Sequence, residues 1–414
     1  MKFLHILPWA YFGGTPNYVK GLLKGLKISG HRNICIGREE HFNTYGPHSN
    51  VYIPVKSDLI KPFDKFLPDF AKVRLYSFSR INLHVVVKSY EVHSIIFNND
   101  PRITHLEHLL KCEIPVFRIQ HGTYINYLHW YKHLPIPSID RVKELSHVLL
   151  YHYDILRYLR LLAKQYPNFY IVAVSKRTRK ELIYYGIPPS KVYVVTGGVD
   201  KDIFKPISKD EARKALSKLF GIRLGEDDSV ILHIGLSPIK GTHILLKALK
   251  MITSFRKVKT LIIGSPKGVY CKHLSDLMRK VSTYKNVFML GKVPDNLMPL
   301  LYNVADVVVQ PSYSEGGPLT MLESLACGTP VITTDVGCSE DYLKTIGLGY
   351  LLIGINKPDF SNELADKVIH ALENREHYHQ KVLSNRDKIP SWIQIAEQYA
   401  NLVKNWNKYP YEGL

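Results

Sequence analysis

The chain has 414 residues, of which 45% are hydrophobic, so a folded protein of two or three ordinary domains is expected rather than a disordered one. Its apolar runs, such as residues 95–97, are far shorter than the roughly 20 residues that span a bilayer, and no transmembrane helix is predicted. The net charge of +19 lies mainly in residues 1–200, which carry +13. An anionic membrane, a lipid diphosphate or a nucleic acid would suit that charge, and so would simple solubility.

The amino terminus predicts a buried first strand, because Pro8, Trp9 and the pair Gly13-Gly14 interrupt what would be the apolar region of a signal peptide. The five cysteines are widely spaced and form no Cys-x-x-Cys pair. They predict buried, reduced thiols in a cytosolic protein rather than zinc ligands or a redox couple.

Strand-like apolar runs alternate with helical periodicity along the chain, which predicts parallel sheets covered by helices on both faces. In the first half the predicted strands are Phe3–Leu7, Asn33–Ile36, Ser94–Phe97, Val116–Gln120, Tyr170–Val174 and Val192–Val195. In the second half they are Ser229–Ile234, Thr260–Ile263, Val287–Leu290, Val307–Gln310 and Pro330–Thr333. Residues 201–228 are predicted to be a linker with a helical portion, Lys209–Leu219. Ligands of such sheets bind beyond the carboxyl ends of the strands, so functional residues are expected there.

A basic amphipathic helix is predicted over Arg141–Tyr166, where leucines and tyrosines are interleaved with lysines and arginines. A helix of this kind can lie on an anionic membrane surface. The simpler interpretation is a surface helix that packs its apolar stripe on its own domain.

The segment Ser314–Pro330, which follows a predicted strand, has the layout of a ligand-binding turn. Gly316-Gly317 allow a ligand to approach the backbone, and a helix starting near Pro318 presents free N–H groups and a positive dipole end to a phosphate. Glu315 precedes the turn and is placed to accept hydrogen bonds from sugar hydroxyls. Glu323 lies about two helical turns farther on, within reach of a ribose.

This segment resembles the donor-binding signature of the large family 4 of retaining glycosyltransferases, whose two glutamates are separated by seven residues, as Glu315 and Glu323 are. Further motifs in the family's order extend the resemblance over nearly the whole chain. They are Gly13-Gly14, Val174-Ser175, Gly186-Ile187-Pro188, residues 196–200, residues 231–241, residues 326–332, residues 336–340 and a terminal helix from Ser391-Trp392.

The resemblance implies an α/β fold of two Rossmann-like domains facing across a cleft, the GT-B architecture. Residues 1–200, completed by a carboxyl-terminal helix at 391–414, would bind the acceptor, and residues 229–390 would bind the nucleotide sugar. The implied activity is transfer of a hexosyl group from a nucleotide diphosphate sugar to a glycan or lipid-linked acceptor, with retention of anomeric configuration.

The resemblance also implies roles for individual residues. Lys240 would contact the diphosphate, Glu315 the donor sugar hydroxyls and Glu323 the ribose. His121, at the end of a predicted strand, would hydrogen-bond a sugar hydroxyl and join Lys240 and Glu315 as a catalytic residue. The predicted nucleotide-sugar-binding residues are Gly14, Gly235, Lys240, Glu315, Gly316, Gly317, Pro318, Leu319, Thr320 and Glu323.

Two positions depart from the family pattern. Many relatives have an arginine, a second cation on the diphosphate, after the glycine that aligns with Gly235; this chain has Leu236 and a loop to Lys240 that is one residue shorter. Either Lys240 and backbone amides suffice, or another basic residue takes part. Gly197 replaces a common asparagine, and both residue types tolerate positive φ.

The run Asp200-Lys201-Asp202 matches the Asp-x-Asp pattern with which another glycosyltransferase architecture holds a divalent cation. Because it coincides with the Gly-Val-Asp segment of family 4, it is interpreted as part of a turn. Neither a metal nor a cofactor is therefore predicted. The protein is expected in the cytoplasm, and its charge suggests a peripheral contact with anionic membrane.

The mechanism and the exact reaction class stay open at the level of sequence. Retention requires either a covalent glycosyl-enzyme or attack on the face from which the diphosphate leaves, and the resemblance favours the second. A sugar-nucleotide epimerase or a glycan phosphorylase on the same fold is an alternative, because fold does not fix function. A nucleic-acid-binding protein would fit the charge, but the 27 tyrosines are dispersed, and nucleic acid is not an expected partner.

Overall fold

The computed structural model describes residues 1–7, 14–55, 83–98, 110, 112–123, 153, 155–225, 227–265, 268–279, 285–352 and 360–407. These residues form two compact units. The described residues of Met1–Thr123, Ser146–Gly198 and Pro390–Leu414 make up the first unit, and those of Val199–Ile389 belong to the second. Each unit is built on one parallel sheet, so the predicted α/β fold of two Rossmann-like domains is confirmed.

The first sheet contains the strands β1 (Lys2–Ile6), β2 (Arg32–Arg38), β3 (Val51–Val55), β4 (Ser94–Phe97), β5 (Val116–Gln120), β6 (Phe169–Ala173) and β7 (Val192–Val194). All pairings are parallel, in the order β3-β2-β1-β4-β5-β6-β7. The strand order changes direction between β1 and β4. The carboxyl ends of these two strands therefore flank the switch point at which ligands of such sheets bind.

The second sheet contains β8 (Ser229–Ile234), β9 (Val258–Ile263), β10 (Val287–Gly291), β11 (Val307–Gln310), β12 (Val331–Thr334) and β13 (Gly349–Leu352). They pair in parallel in the order β10-β9-β8-β11-β12-β13. Its switch point lies between β8 and β11. Every predicted strand is present with ends within two residues of the prediction, whereas β3 and β13 were not predicted.

The helices of the described residues are α1 (Gly14–Ile28), α2 (Phe42–Tyr45), α3 (Leu83–Ser89), α4 (residues 155–165), α5 (Lys176–Tyr184), α6 (Lys209–Phe220), α7 (Thr242–Phe255), α8 (Gly268–Arg279), α9 (Met298–Val304), α10 (Leu319–Ala326), α11 (Ser361–Glu373), α12 (Arg375–Ser384) and α13 (Trp392–Asn405). The first five and α13 belong to the first unit, and α6 to α12 belong to the second. Within the described ranges, no helix combines the length and the apolar character needed to cross a membrane.

Both faces of the first sheet are buried, which explains why its strands appear in the sequence as continuous apolar runs. Alternate residues such as Leu4 and Ile6 pack with Leu159 of α4 on one face. Leu7 packs with Val19 of α1 on the other face. The helices therefore hold the strand ends, and the loops that follow them, from both sides.

Helix α13 packs along α1, although the two are far apart in sequence. It begins with a capping box, in which Ser391 Oγ accepts from the Gln394 N–H at 3.2 Å and Gln394 Oε1 accepts from the Ser391 N–H at 2.8 Å. Close approach requires two glycines of α1. A Cβ on Gly21 would lie 2.0 Å from Trp392 Cε2, and one on Gly25 would lie 2.1 Å from the Trp392 carbonyl oxygen.

The segment predicted as a linker lies within the second unit. Its helix α6 extends one residue beyond the predicted helical portion and packs on α9. The backbone N–H of Ile207 donates to Asn303 Oδ1 of α9 at 2.9 Å, and the Lys209 ammonium pairs with the buried carboxylate of Asp306. These contacts anchor the segment to the second sheet.

Two further expectations concern the cysteines and the predicted helix at 141–166. All five cysteines are free, but only Cys35, Cys327 and Cys338 are buried, so the expectation of burial is wrong for Cys112 and Cys271, which are partly exposed. Of the predicted helix at 141–166, residues 155–165 form α4; residues 141–152 and 154 lie outside the described residues.

Candidate functional site

Two loops meet at the switch point of the second sheet. Strand β8 ends at Ile234, and the next residue is Gly235, whose φ of 101° suits glycine and whose N–H donates to the Ile263 carbonyl oxygen at 2.8 Å. The chain then forms a single 3-10 turn, Pro238–Lys240, before α7. Gly241 has a φ of 68°, and a Cβ there would lie 2.0 Å from the Pro311 carbonyl oxygen. These glycines allow the loop after β8 to lie directly against the loop after β11.

The side chains of Lys240 and Glu315 form an ion pair where these loops meet. Lys240 Nζ donates to Glu315 Oε1 at 2.5 Å, and the Ser312 hydroxyl donates to the same oxygen at 2.9 Å. The lysine and glutamate side chains are 32% and 14% exposed, so a ligand from solvent can reach both. The Tyr313 N–H donates to the Ile239 carbonyl oxygen at 2.8 Å. That bond ties the turn bearing Lys240 to the loop bearing Glu315.

Helix α10 begins directly after the loop of Glu315, with Pro318 as its N-cap residue. The first backbone N–H groups of an α-helix generally lack partners within the helix, and they form the positive end of the helix dipole. In α10 the Met321 N–H donates to the Pro318 carbonyl oxygen at 3.1 Å. The Thr320 hydroxyl accepts a hydrogen bond from the Gln310 amide. A Cβ on Gly337 would lie 2.5 Å from the Gly316 carbonyl oxygen, so the loop after β12 supports the Gly316-Gly317 turn closely. Lys240 and this helix start together suit an anion.

Glu323, in the second turn of α10, is oriented by a tyrosine of α9. The Tyr302 hydroxyl donates to Glu323 Oε2 at 2.7 Å, and the tyrosine is fully buried. Burial and the neighbouring carboxylate raise the pKa of Tyr302 well above its usual value, so the phenol keeps its proton and remains a donor. The sequence analysis missed Tyr302, because a single tyrosine in a short apolar helix belongs to no motif.

A buried histidine joins the two strands at this switch point. His233 Nδ1 lies 2.8 Å from the Val309 carbonyl oxygen, which assigns the proton to that nitrogen, and its Nε2 lies 2.9 Å from Thr242 Oγ1. Burial lowers the pKa of His233 to about 4, so the ring is neutral at neutral pH. His233 therefore links β8, β11 and the start of α7.

A second histidine, His243, supports the loop of Glu315 from α7. Its Nδ1 and Nε2 lie 3.1 Å from the hydroxyl oxygens of Tyr270 and Tyr313, respectively. The ring is 4% exposed, and Tyr313 is the residue whose backbone meets the turn of Lys240. Sequence analysis did not identify this network, because its members come from three separate segments.

In the first unit, His121 follows β5 and packs edge-on against Tyr18 of α1, with ring centroids 5.1 Å apart. Its Nε2 is buried and has no hydrogen-bond partner among the residues that the structure describes. Burial, assisted by the positive charge of Arg118, lowers the pKa of His121 to about 3. The neutral ring can therefore offer one donor and one acceptor to a ligand.

The loop after His121 is fixed by two side chains. Gln120 Nε2 donates to the Gly122 carbonyl oxygen at 2.5 Å, and the Thr123 hydroxyl donates to the Glu181 carboxylate of α5. Burial raises the pKa of Glu181. Helix α5 itself is capped by Ser175, whose Oγ accepts from the Thr178 N–H at 3.1 Å. The loop that carries His121 is thus held by Gln120 of β5 and by Glu181 of α5.

The predicted site residues fall into two groups. Nine lie on the two loops and the helix start at the switch point of the second sheet: Gly235, Lys240, Glu315, Gly316, Gly317, Pro318, Leu319, Thr320 and Glu323. Gly14 and His121 belong to the first unit. A Cβ on Gly14 would meet no atom within 4 Å, so the described fold does not itself require glycine there. Leu236 is 8% exposed and packs against Gly264, and an apolar group fills the position of the absent arginine.

Among the described side chains, no group of three or more His, Cys, Asp or Glu residues is arranged to hold a metal ion. Asp200 Oδ1 accepts from the Asp202 N–H at 3.2 Å, and the Asp200 carbonyl oxygen accepts from the Phe204 N–H at 2.8 Å. Asp200 therefore stabilises a turn, which agrees with the interpretation drawn from the sequence.

Two protein-family models match the chain. The family model described as Glycosyl transferases group 1 matches residues 218–386, and the one described as Glycosyltransferase Family 4 matches residues 12–203. The two models together cover most of the chain, which is therefore a glycosyltransferase. In this glycosyltransferase, the matched region 218–386 contains the Lys240–Glu315 pair and Glu323, and the region 12–203 contains His121.

Similar proteins support this assignment over the whole chain. An uncharacterized glycosyltransferase of Methanocaldococcus jannaschii is 25% identical over 414 residues, which covers 96% of this chain and 97% of the relative. D-inositol 3-phosphate glycosyltransferase 2 of Catenulispora acidiphila is 30% identical over 205 residues, and the match spans 47% of each protein. The crystal structure of HepE from Anabaena in complex with UDP and glucose has a TM-score of 0.71 at 18% identity, covering 98% of this glycosyltransferase and 100% of that chain. The fold is GT-B.

Proposed function

We propose that this glycosyltransferase moves a hexosyl group from a nucleotide diphosphate sugar to a glycan or lipid-linked acceptor, with retention and without a metal. The observation that carries the proposal is the Lys240–Glu315 pair, whose Nζ–Oε1 distance is 2.5 Å, beside the first turn of α10. A cation and a helix start suit a diphosphate, and an adjoining carboxylate suits sugar hydroxyls. A ligand that contains both a diphosphate and sugar hydroxyls would contact Lys240, Glu315 and the start of α10 together.

The donor would be held by groups with distinct tasks. Lys240 and the first N–H groups of α10 stabilise the negative charge that develops on the leaving diphosphate. Because an ammonium and a helix dipole can supply that positive charge, we propose a reaction without a metal. Glu315 accepts from hydroxyls of the sugar, and Glu323, oriented by Tyr302, accepts from hydroxyls of the ribose.

The reaction we propose is substitution on one face of the sugar. The oxygen of the acceptor hydroxyl bonds to the anomeric carbon on the side from which the diphosphate leaves, and the bond from that carbon to the phosphate oxygen breaks. The acceptor proton passes to the departing diphosphate. His121, with a pKa of about 3, is too weak a base to take that proton at neutral pH. We assign His121 a hydrogen bond to a sugar hydroxyl instead.

UDP-sugars are the first donors to test, because HepE of Anabaena has been solved with UDP, with UDP and glucose, and with UDP-glucose. Stabilisation by UDP, GDP, ADP and their sugar conjugates should be measured by thermal unfolding, with and without EDTA. At 100 times its dissociation constant, a ligand specific for the folded state stabilises by roughly 2.7 kcal/mol. A shift with one nucleotide that EDTA does not change supports the donor class and metal independence; no shift with any of them contradicts the proposal.

Retention should be tested on the product itself. The anomeric configuration of the donor sugar and of the new glycosidic bond can be compared by the proton coupling constants at the anomeric carbon in NMR spectra. Equal configurations agree with retention. Opposite configurations contradict it and would require attack from the face away from the diphosphate.

We also propose a peripheral contact of the cytoplasmic protein with anionic membrane, made by the exposed face of α4. Arg157, Arg160 and Lys164 lie on this face beside Leu161, which is 51% exposed. Basic groups with apolar neighbours favour an anionic lipid surface. Co-sedimentation with phosphatidylglycerol vesicles at low salt should fall in the variant Arg157→Glu/Arg160→Glu and remain in the control Lys381→Glu of the second unit. No sedimentation of the unmodified protein would contradict the contact.

A further inference from the structure

Asn98 is a buried asparagine at the switch point of the first sheet, and its side-chain amide forms no hydrogen bond with the described residues. It directly follows β4, and its backbone N–H donates to the Ile6 carbonyl oxygen of β1 at 3.0 Å. The residue is 4% exposed, yet within the described part of the chain neither Nδ2 nor Oδ1 has a hydrogen-bond partner. Buried polar groups in native proteins are nearly always bonded, and an unbonded amide destabilises the fold that contains it. Asn98 therefore needs an explanation other than stability.

Two other asparagines of the same unit show how this fold treats a buried amide. Asn33, which is fully buried, donates from Nδ2 to the carbonyl oxygens of Leu23 and His48 at 2.8 and 3.1 Å, and its Oδ1 lies 3.2 Å from His5 Nε2. Asn168, which is 5% exposed, donates from Nδ2 to two carbonyl oxygens at 2.8 and 2.9 Å. Asn98 matches them in burial and lacks their bonds.

The geometry of the sheet places Asn98 on the same side as His121. The parallel register pairs Phe97 with Arg118, so Asn98 lies beside the last residues of β5. Phe97 belongs to the core on the α4 side, and alternation along the strand turns Asn98 toward α1. His121 faces the same helix, since its ring contacts Tyr18. Its Nε2 is also buried without a partner, so two unbonded polar groups share one face at the end of neighbouring strands.

We infer that Asn98 binds hydroxyl groups of a sugar ring together with His121, and this inference rests on the proposed function. An amide presents one acceptor oxygen and two donor hydrogens at fixed spacing, and a neutral imidazole presents one of each. Neighbouring sugar hydroxyls both donate and accept, so one sugar can supply hydrogen-bond partners to the amide and to the imidazole together. Either the sugar of the donor or the sugar of an acceptor has this chemistry, and the two sources are separable by experiment.

The first test needs no ligand. In Asn98→Leu an apolar side chain of similar volume replaces an amide that has no partners, whereas the matched control Asn33→Leu removes bonds that exist. Thermal unfolding of the unliganded protein should show Asn98→Leu at or above the unmodified protein and Asn33→Leu several degrees below it. A fall for Asn98→Leu as large as that for Asn33→Leu would show a structural asparagine and overturn the inference.

The second test measures turnover, with UDP-glucose as the first probe and the other conjugates of the donor screen after it. Asn98→Leu should lower kcat/KM by about 10-fold or more, while the dissociation constant of UDP stays the same. A loss in hydrolysis of the nucleotide sugar without acceptor assigns Asn98 to the donor sugar. Unchanged hydrolysis with a loss in transfer assigns it to the acceptor. Turnover equal to that of the unmodified protein in both reactions overturns the role of Asn98 and leaves the proposed function intact; absence of turnover in the unmodified protein overturns both.

Discussion

Replacing Lys240 by methionine should weaken nucleotide binding and leave the stability of the fold nearly unchanged. The ammonium lies 2.5 Å from Glu315 Oε1, but the lysine side chain is 32% exposed, so solvent screens the pair. Loss of such a pair costs roughly 1 kcal/mol of folding free energy or less. A charge-assisted hydrogen bond to a diphosphate contributes about 1.5–3 kcal/mol, which corresponds to a roughly 10- to 150-fold change in affinity.

Titration calorimetry with the nucleoside diphosphate that stabilises the protein is the direct assay for Lys240→Met. Lys259→Met is a matched control, because Lys259 forms a similar partly buried pair with Asp228 in the same unit, at 3.3 Å. Both variants should unfold at nearly the same temperature, and only Lys240→Met should lose affinity. Equal nucleotide affinity in the two variants would refute the assignment of Lys240 to the diphosphate and leave it a structural role.

Three further predictions concern orientation, packing and acid stability. Tyr302→Phe removes the hydroxyl that donates to Glu323 Oε2 at 2.7 Å, and calorimetry should show a roughly 3- to 10-fold weaker nucleotide; an unchanged affinity would contradict the role of Glu323. Gly21→Ala places a Cβ 2.0 Å from the Trp392 ring, and urea unfolding should show a loss of about 1–3 kcal/mol or more, whereas native stability would disprove close helix packing. Burial lowers the pKa of His5 to about 3, so the unfolded chain binds an extra proton below pH 6.5 and stability falls as pH falls. Between pH 7 and 5 this histidine should cost about 2 kcal/mol in urea unfolding, and His5→Gln should reduce that slope; an equal slope would refute the assignment.

The central strands of both sheets were predictable because they are buried on both faces and appear as uninterrupted apolar runs. The two strands that were missed, β3 and β13, are the outermost strands of their sheets. Strand β3 contains Pro54, which cannot donate to a neighbour and is tolerated at an edge, and β13 begins with Gly349. The opposite edge strands, β7 and β10, were predicted. The proline of β3 and the glycine of β13, rather than edge position alone, made the strand pattern of these two segments weak.

The candidate site could be predicted from the sequence only where its proposed residues are contiguous. Glu315, the Gly316-Gly317 turn and Glu323 lie in one segment, and their spacing identified them before the fold was known. Tyr302 and Asn98 were not identifiable in this way. Tyr302 is defined by a contact with a residue of another helix. Asn98 is defined by a buried side-chain amide without a hydrogen-bond partner among the described residues, and neither property exists until the chain is folded.

The packing of α13 on α1 has a consequence for how the protein is made. Helix α1 is synthesised early, but the side of it that contains Gly21 and Gly25 is covered only when Trp392 arrives, after the whole second unit has left the ribosome. The described part of the second unit, Val199–Ile389, is one continuous segment and can therefore complete its core before the first unit does. Tyr18, which contacts both His121 and Trp392, gains its contact with Trp392 in that late step. Ribosome-bound chains that stop before residue 392 should thus carry a folded second unit and a first unit in which this side of α1 is still exposed.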